Sequence, residues 1–366
     1  MSIKNQYRPQ SVTHPGFILE EKLAEIGMSK KEFAVRTQKP EKTISQVVNQ
    51  ISSITPDMAV LFENVLKIPA SFWLKLQIKH DEAVAREKVV NICDASEAWA
   101  RRLPYAHIAK DGWVPPTRKV EEKVRNALNF FGISSYKAWE DIYLKQELKV
   151  AFRISLAHMK EPEAISVWLR MGELQAAEKQ VAEYCPNSFV DALEKAKHLM
   201  FKHPSDFFSQ LEKLCADSGV KLVYTPCLPK APISGCTRWI DGTPVMQLSG
   251  RYKTNDKFWF TFFHEAGHIL KHGKKDIFLE DTSNGHDTDK EREADEFAAE
   301  MLLPKAQEEE ILKYLDFSIP KIKFWSRKFN VHPAIIVGRL LHNKTITYPA
   351  PNGLHNFFVP IELKDN

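Results

Sequence analysis

The segment His264–Glu265–Ala266–Gly267–His268 sets two imidazoles and a carboxylate at a spacing with a chemical consequence. On an α-helix, residues four apart lie about 40° apart around the axis, so His264 and His268 project from one face and can share one ion. Glu265 is turned about 100° from His264, too far round to share that ion. It is still close enough to reach a water the ion holds. Zinc brings such a water to a pKa of about 7, and a carboxylate takes its proton as it attacks a carbonyl. The pattern predicts Zn2+ at His264 and His268, with Glu265 as general base. Two ordinary histidines on a half-buried helix would give the same five residues, so a third ligand decides the matter.

The following segment supplies carboxylates. Residues 289–304, DKEREADEFAAEMLLP, carry an apolar face of Ala294, Phe297, Ala298, Met301 and Leu302. Glu293 borders that face one turn before Phe297 and is the expected third ligand; Glu291 and Glu300 compete with it. Two histidines and a glutamate form a known hydrolytic zinc set with one open position. His272 lies eight residues past His264, drifted about 80° round the helix, and is expected to sit outside the ligand set. Tyr252, Arg238 and His286 are candidates for stabilising an oxyanion, with none preferred.

FWFTFFHEAGHILKH followed by EREADEFAAEMLLP resembles the ImmA/IrrE family of bacterial metallopeptidases. The preceding ISGCTRWIDGTPVMQLSGRYKTNDKFWF resembles that family's strand-rich lead-in, so the likeness covers roughly residues 200–345. It implies that His264, His268 and Glu293 hold the metal and that Glu265 is the base. It also implies an intracellular protein substrate, often a transcriptional repressor.

These residues need elements to position them. KLVYT (221–225), GCTRWI (235–240) and VMQL (245–248) read as strands between Pro and Gly turns, and helical patterns return at 256–272, 289–303 and 319–343. The strand at 245–248 is a candidate edge for pairing with an extended substrate. Residues 318–344, SIPKIKFWSRKFNVHPAIIVGRLLHNK, have a helix-turn-helix cadence but read more simply as a packed cap on the peptidase domain. Residues 82–199 read as a helical connector and 346–366 as a C-terminal tail.

Residues 1–80 hold 11 Lys/Arg against 7 Asp/Glu, so the whole net charge of +4 sits there and hints at an anionic partner. Within this end, Pro15, Pro40, Pro56 and Pro69 each stand where a first helical turn could begin. Ser29 to Glu32 matches a capping box. Apolar residues recur at helical spacing, which predicts five short helices around one core. HPGFILEEKLAEIGMSKKEFAVRTQKPEKTISQVVNQISSITPDMAVLFENVLKIPASFWLKLQIKHD resembles the helix-turn-helix domain of HigA-type antitoxins, within the Cro/repressor group. On that reading residues 40–49 are the recognition helix. Ile44, Val47 and Val48 point inward, and Lys42, Thr43, Gln46 and Asn49 point outward, with Lys39 and Lys30 beside phosphates. Thr37-Gln38-Lys39 and Gln50 stand where glycines are usual, which requires a non-glycine residue to take strained backbone or a slightly different turn. Glu41 is acidic where DNA would approach.

No apolar run approaches the ~18–20 residues a membrane span needs, and MSIKNQYRPQSVTHPG has no apolar stretch of the secretory kind. The five cysteines are scattered and form no C-x-x-C, giving the expectation of a cytoplasmic, reducing setting without a cysteine zinc site. The sequence therefore predicts a mainly helical α+β chain. Residues 1–81 form a five-helix helix-turn-helix domain, and 200–345 a zincin-like domain with a small sheet. The expected partners are double-stranded operator DNA, a protein substrate and a second copy of the N-terminal domain. The competing expectation is an antitoxin that binds DNA and neutralises a toxin by contact, its peptidase site unused.

Overall fold

The computed structural model describes residues 13–145, 161–273, 278–279, 288–351 and 353–361. The chain divides into two compact units, 1–95 and 96–366.

The first unit is helical: α1 Pro15–Glu25, α2 Lys30–Arg36, α3 Glu41–Val48, α4 Pro56–Leu66 and α5 Ala70–Ala95. Polar caps start three of these helices. The His14 ring accepts from Gly16 N, Ser29 from Glu32 N and Thr55 from Met58 N. The expected capping box forms only half. Glu32 turns along its own helix to Arg36, at 2.7 Å, instead of reaching back. Leu19, Leu23, Phe33, Ala34, Ile44, Val47, Val48, Met58, Phe62 and Trp73 close one core. The fifth helix is longer than expected, at 26 residues.

Gln38 (φ 50°) and Gln50 (φ 63°) take the left-handed backbone that the missing glycines would have supplied. That conformation costs a non-glycine residue about 1–2 kcal/mol, against about 0.4–1 kcal/mol of extra unfolded-state freedom for glycine. Gln50→Gly is therefore expected to stabilise the first unit by roughly 0.5–1 kcal/mol. Amide hydrogen exchange of α3 in the full chain should slow; faster exchange would show that Gln50 carries no strain.

The second unit runs α6 Glu97–Arg102, α7 Tyr105–Lys110, α8 Val120–Phe131, α9 Tyr136–Tyr143, α10 Pro162–Glu178, α11 Pro186–Lys202, α12 Phe207–Asp217, β1 Lys221–Tyr224, β2 Gly235–Ile240, β3 Thr243–Leu248, α13 Asn255–Lys271, β4 Phe278–Leu279, α14 Thr288–Leu302, α15 Lys305–Tyr314, α16 Ile319–Phe329 and α17 Pro333–His342. The sheet order is β1-β3-β2-β4. β3 pairs in parallel with β1 and antiparallel with β2, and β4 pairs antiparallel with β2.

Three expectations change here. β3 lies between β1 and β2, so its backbone is already paired and cannot receive a substrate strand. Residues 96–199 belong to the same compact unit as the sheet, and the boundary falls at 95/96 rather than 81/82. The expected tail is also packed. Ala350, Leu354 and Ile361 enter the main core, and Ile361 N donates to Lys253 O at 2.9 Å. The segment 319–343 splits into α16 and α17 at Asn330, which is left-handed. Ile322, Trp325, Ile336, Val337 and Leu340 lie in that same core, so the pair forms a cap on this unit. His332 caps α17 by accepting from Ala334 N; burial, with the neighbouring His203 ring, pushes its pKa down to about 4 and keeps it an acceptor.

The sheet separates two layers. Side chains alternate along a strand, so Gly235, Thr237 and Trp239 share one face and Cys236 and Arg238 the other. On the first face Thr237 Oγ1 donates to Glu265 O of α13 at 3.1 Å. On the second face Arg238 Nη2 donates to Leu169 O at 2.6 Å, and Gln247 Nε2 donates to Trp168 O at 2.7 Å, both on α10. α13 is fixed by Phe258, Trp259, Phe262 and Phe263, all buried; each contributes about 1.5–3 kcal/mol of burial. That anchorage holds the opposite face of the helix still.

Candidate functional site

His264 and His268 leave α13 on the face toward α14, and both are buried, at 2% and 1% exposure. Their Nε2 atoms lie 3.0 Å apart. Glu291 Oε2 of α14 sits 3.2 Å from His264 Nε2 and 3.6 Å from His268 Nε2. The edge of a tetrahedron with metal–ligand bonds of about 2.0–2.1 Å is roughly 3.3 Å. The three atoms therefore sit at the separations of a tetrahedral N,N,O set, and the residues fit a zinc ion.

Glu291 stands where Glu293 was expected. The reason is helical phase. Ala294 packs against Gly267 of α13, where a Cβ on Gly267 would stand 3.2 Å from Ala294 Cα. Ala298 is also fully buried. Glu291 is three residues before Ala294 and seven before Ala298, on the same stripe, whereas Glu293 is turned about 100° from Ala294. Glu293 instead meets His272, its Oε2 3.2 Å from His272 Nε2.

The charges suit the geometry. Burial, reinforced by the neighbouring His264 and His272 rings, lowers His268 to about 4, leaving its ring neutral with a lone pair to give. Burial opposes ionisation of Glu291, but hydrogen bonds to His264 and His268 and their charge outweigh it and bring the carboxyl down to about 2.

Glu265 is fully buried, one residue after His264 on α13. Gly235 of β2 lies against its side chain; a Cβ there would stand 2.4 Å from Glu265 Oε1. With Thr237 holding the Glu265 carbonyl, β2 fixes both backbone and side chain of this residue. Asp295 Oδ1 lies 2.9 Å from His264 Nδ1. Sequence reasoning missed Gly235, Thr237 and Asp295; the stripe of Ala294 and Ala298 was the available signal for Glu291.

Of the oxyanion candidates, Arg238 is on the sheet face turned away from Glu265 and bonds to α10. Tyr252 is 48% exposed, and His286 lies outside the described residues.

In the first unit, α3 turns Ile44, Val47 and Val48 into the core. Lys42 and Asn49 are exposed, and Lys39, Thr43 and Gln46 half-buried, on the outward side. Lys30 pairs with Glu20 at 3.0 Å, which ties up one expected phosphate contact. Glu41 is exposed at the start of α3.

Residues 215–341 match the IrrE N-terminal-like domain of the M78 peptidase family, and residues 19–73 match a helix-turn-helix family. The chain thus pairs a helix-turn-helix unit with a region similar to the M78 peptidase domain. The chain is 33% identical over 78 residues to the uncharacterized HTH-type transcriptional regulator YddM of Escherichia coli (strain K12), covering 21% of this chain and 82% of that protein. By this likeness the chain belongs, through its N-terminal unit, to the HTH-type transcriptional regulators. It is also 36% identical over 66 residues to virulence-associated protein A of Dichelobacter nodosus, covering 18% of this chain and 65% of that relative, just under two thirds of its length. Among solved structures, an addiction module antidote protein of a HigA family from Coxiella burnetii is similar at 31% identity. It covers 22% of this chain and 87% of that one, with a TM-score of 0.21. The Pseudomonas aeruginosa antitoxin HigA with higBA promoter is similar at 29% identity, over 21% of this chain and 86% of that one, also with a TM-score of 0.21.

Proposed function

We propose that the chain is a cytoplasmic regulator that binds operator DNA through its first unit and cleaves an intracellular protein, a repressor or a toxin-related chain, through its second. The observation that carries the peptidase half is the convergence of His264, His268 and Glu291, with Glu265 buried one residue after His264 on the same helix. A zinc ion bound there supplies a Lewis acid for the scissile carbonyl and acidifies a water. The chain's own residues do the rest. His264 and His268 offer Nε2 lone pairs, Glu291 offers a charged oxygen, and Glu265 takes a proton from the attacking water and passes it to the leaving amine. β2, through Gly235 and Thr237, holds that carboxylate in place.

The DNA half rests on the outward row Lys39, Lys42, Thr43, Gln46 and Asn49. Lys42 and Gln46 reach base edges and Lys39 and Thr43 meet phosphate. A second copy, bound through the N-terminal unit, would read the other half-site.

The test is metal analysis of the purified full chain, together with titration against the DNA upstream of its own gene. The expected result is one zinc per chain and an operator affinity that falls as salt rises and falls further in Lys42→Ala and Gln46→Ala. A chain free of zinc, purified with a small basic protein, would turn the reading toward an antitoxin acting by contact. No specific binding to that DNA at moderate salt would leave a peptidase whose first unit only recruits substrate.

A further inference from the structure

We infer that Glu293 and His272 form an outer relay that holds His268 in its ligating tautomer, with Asp295 doing the same for His264; this rests on the metal reading above. The geometry is directional. His268 Nδ1 lies 2.9 Å from His272 Nδ1, a hydrogen-bond distance at which either ring can donate, depending on its tautomer. If His268 gives its Nε2 lone pair to a metal, its Nδ1 must carry the hydrogen and donate. His272 Nδ1 is then the acceptor, and its own hydrogen sits on Nε2. That atom faces the Glu293 carboxylate at 3.2 Å, which can only accept. One orientation of the chain satisfies every atom: His268 donates to His272, and His272 donates to Glu293. The reverse orientation would place a hydrogen on His268 Nε2 and point it at the ligand site.

His264 needs no intermediary. Its Nδ1 donates directly to Asp295 Oδ1 at 2.9 Å. Both imidazoles are thus anchored at the atom opposite the ligating one by carboxylates of α14, His264 directly through Asp295 and His268 through His272 to Glu293. The His272 side chain is 3% exposed while Glu293 is 48% exposed, so the relay runs from the ligand site to the surface. His272 and Glu293 are positioning residues: neither reaches the ligand atoms, and both act by fixing the ring and tautomer of His268 and by making it more basic.

The relay is tested by zinc affinity of the full chain in competition with a chromogenic chelator, and by the visible spectrum of the cobalt-substituted protein. His272→Phe keeps the ring volume and removes the acceptor; it should weaken zinc binding by roughly 10–100-fold and alter the cobalt bands. His272→Gln can accept from His268 and donate to Glu293, so it should recover binding to within a few-fold. Glu293→Ala is a surface change and guards against misfolding of the His272 variants; it should weaken binding several-fold. His268→Ala separates the two readings. If His268→Ala abolishes binding while His272→Phe and Glu293→Ala bind like the parent, the relay is wrong and the metal site stands. If His268→Ala also binds like the parent, the metal site is wrong and the relay falls with it.

Discussion

Replacing Glu265 by Gln is expected to yield a chain that binds zinc as tightly as its parent but cleaves its substrate at least about 100-fold more slowly. The lower bound is the ordinary contribution of a positioned general base, about 10²–10⁴-fold. Gln has the size of Glu, so the buried pocket against Gly235 is kept, and the ligand atoms of His264, His268 and Glu291 are untouched. What is lost is the ability to accept a proton. A substrate for the assay comes from comparing new protein N-termini in cells expressing the parent and the variant. Parental cleavage by Glu265→Gln would show that Glu265 is not the base. Equal loss of zinc and of cleavage would mean that the carboxylate supports the metal rather than the proton transfer.

Much of this arrangement was legible in the sequence, because it is local. The histidine spacing is set by one helix, and the aromatic run around it announced how that helix would be buried. The strands at 221–225, 235–240 and 245–248 and the helices flanking them follow from alternation and periodicity, and β1, β2 and β3 fall within a residue or two of those limits. The strained turns at Gln38 and Gln50 were legible for the same reason: a missing glycine is a local fact.

What was not legible depends on contacts between elements. Which carboxylate of α14 faces the histidines is fixed by the phase at which Ala294 meets Gly267, and sequence periodicity leaves that phase uncertain by a residue or two. Strand order is likewise non-local. Nothing in VMQL says that a parallel partner from residues 221–224 will cover its outer edge. The clamp of Gly235 and Thr237 on Glu265 joins residues about thirty apart in the chain and has no motif of its own. Short β4, two residues long, falls below any pattern that alternation could reveal.

The phase of α14 makes the second large prediction. Glu291→Ala should weaken zinc binding by more than the roughly 10–100-fold expected when an outer partner of a ligand is lost, and cleavage should go with it. Removal leaves two histidine ligands where a catalytic site needs three protein ligands and an open position. Glu293→Ala should cost several-fold only, since its carboxylate acts through His272. The two substitutions delete the same side chain two residues apart on one helix, both with an exposed or half-exposed carboxylate. Helix propensity and surface charge therefore change alike, and the difference in zinc affinity reports position alone. Chelator competition on both variants gives the answer. Collapse of binding in Glu293→Ala with retention in Glu291→Ala would rotate α14 by about 160° relative to the placement described, carrying Ala294 away from Gly267. The close approach of those two residues is what makes that rotation costly. A bulkier residue at 267 should accordingly reduce zinc affinity without touching any ligand, since it would push α14, and Glu291 with it, away from the histidines.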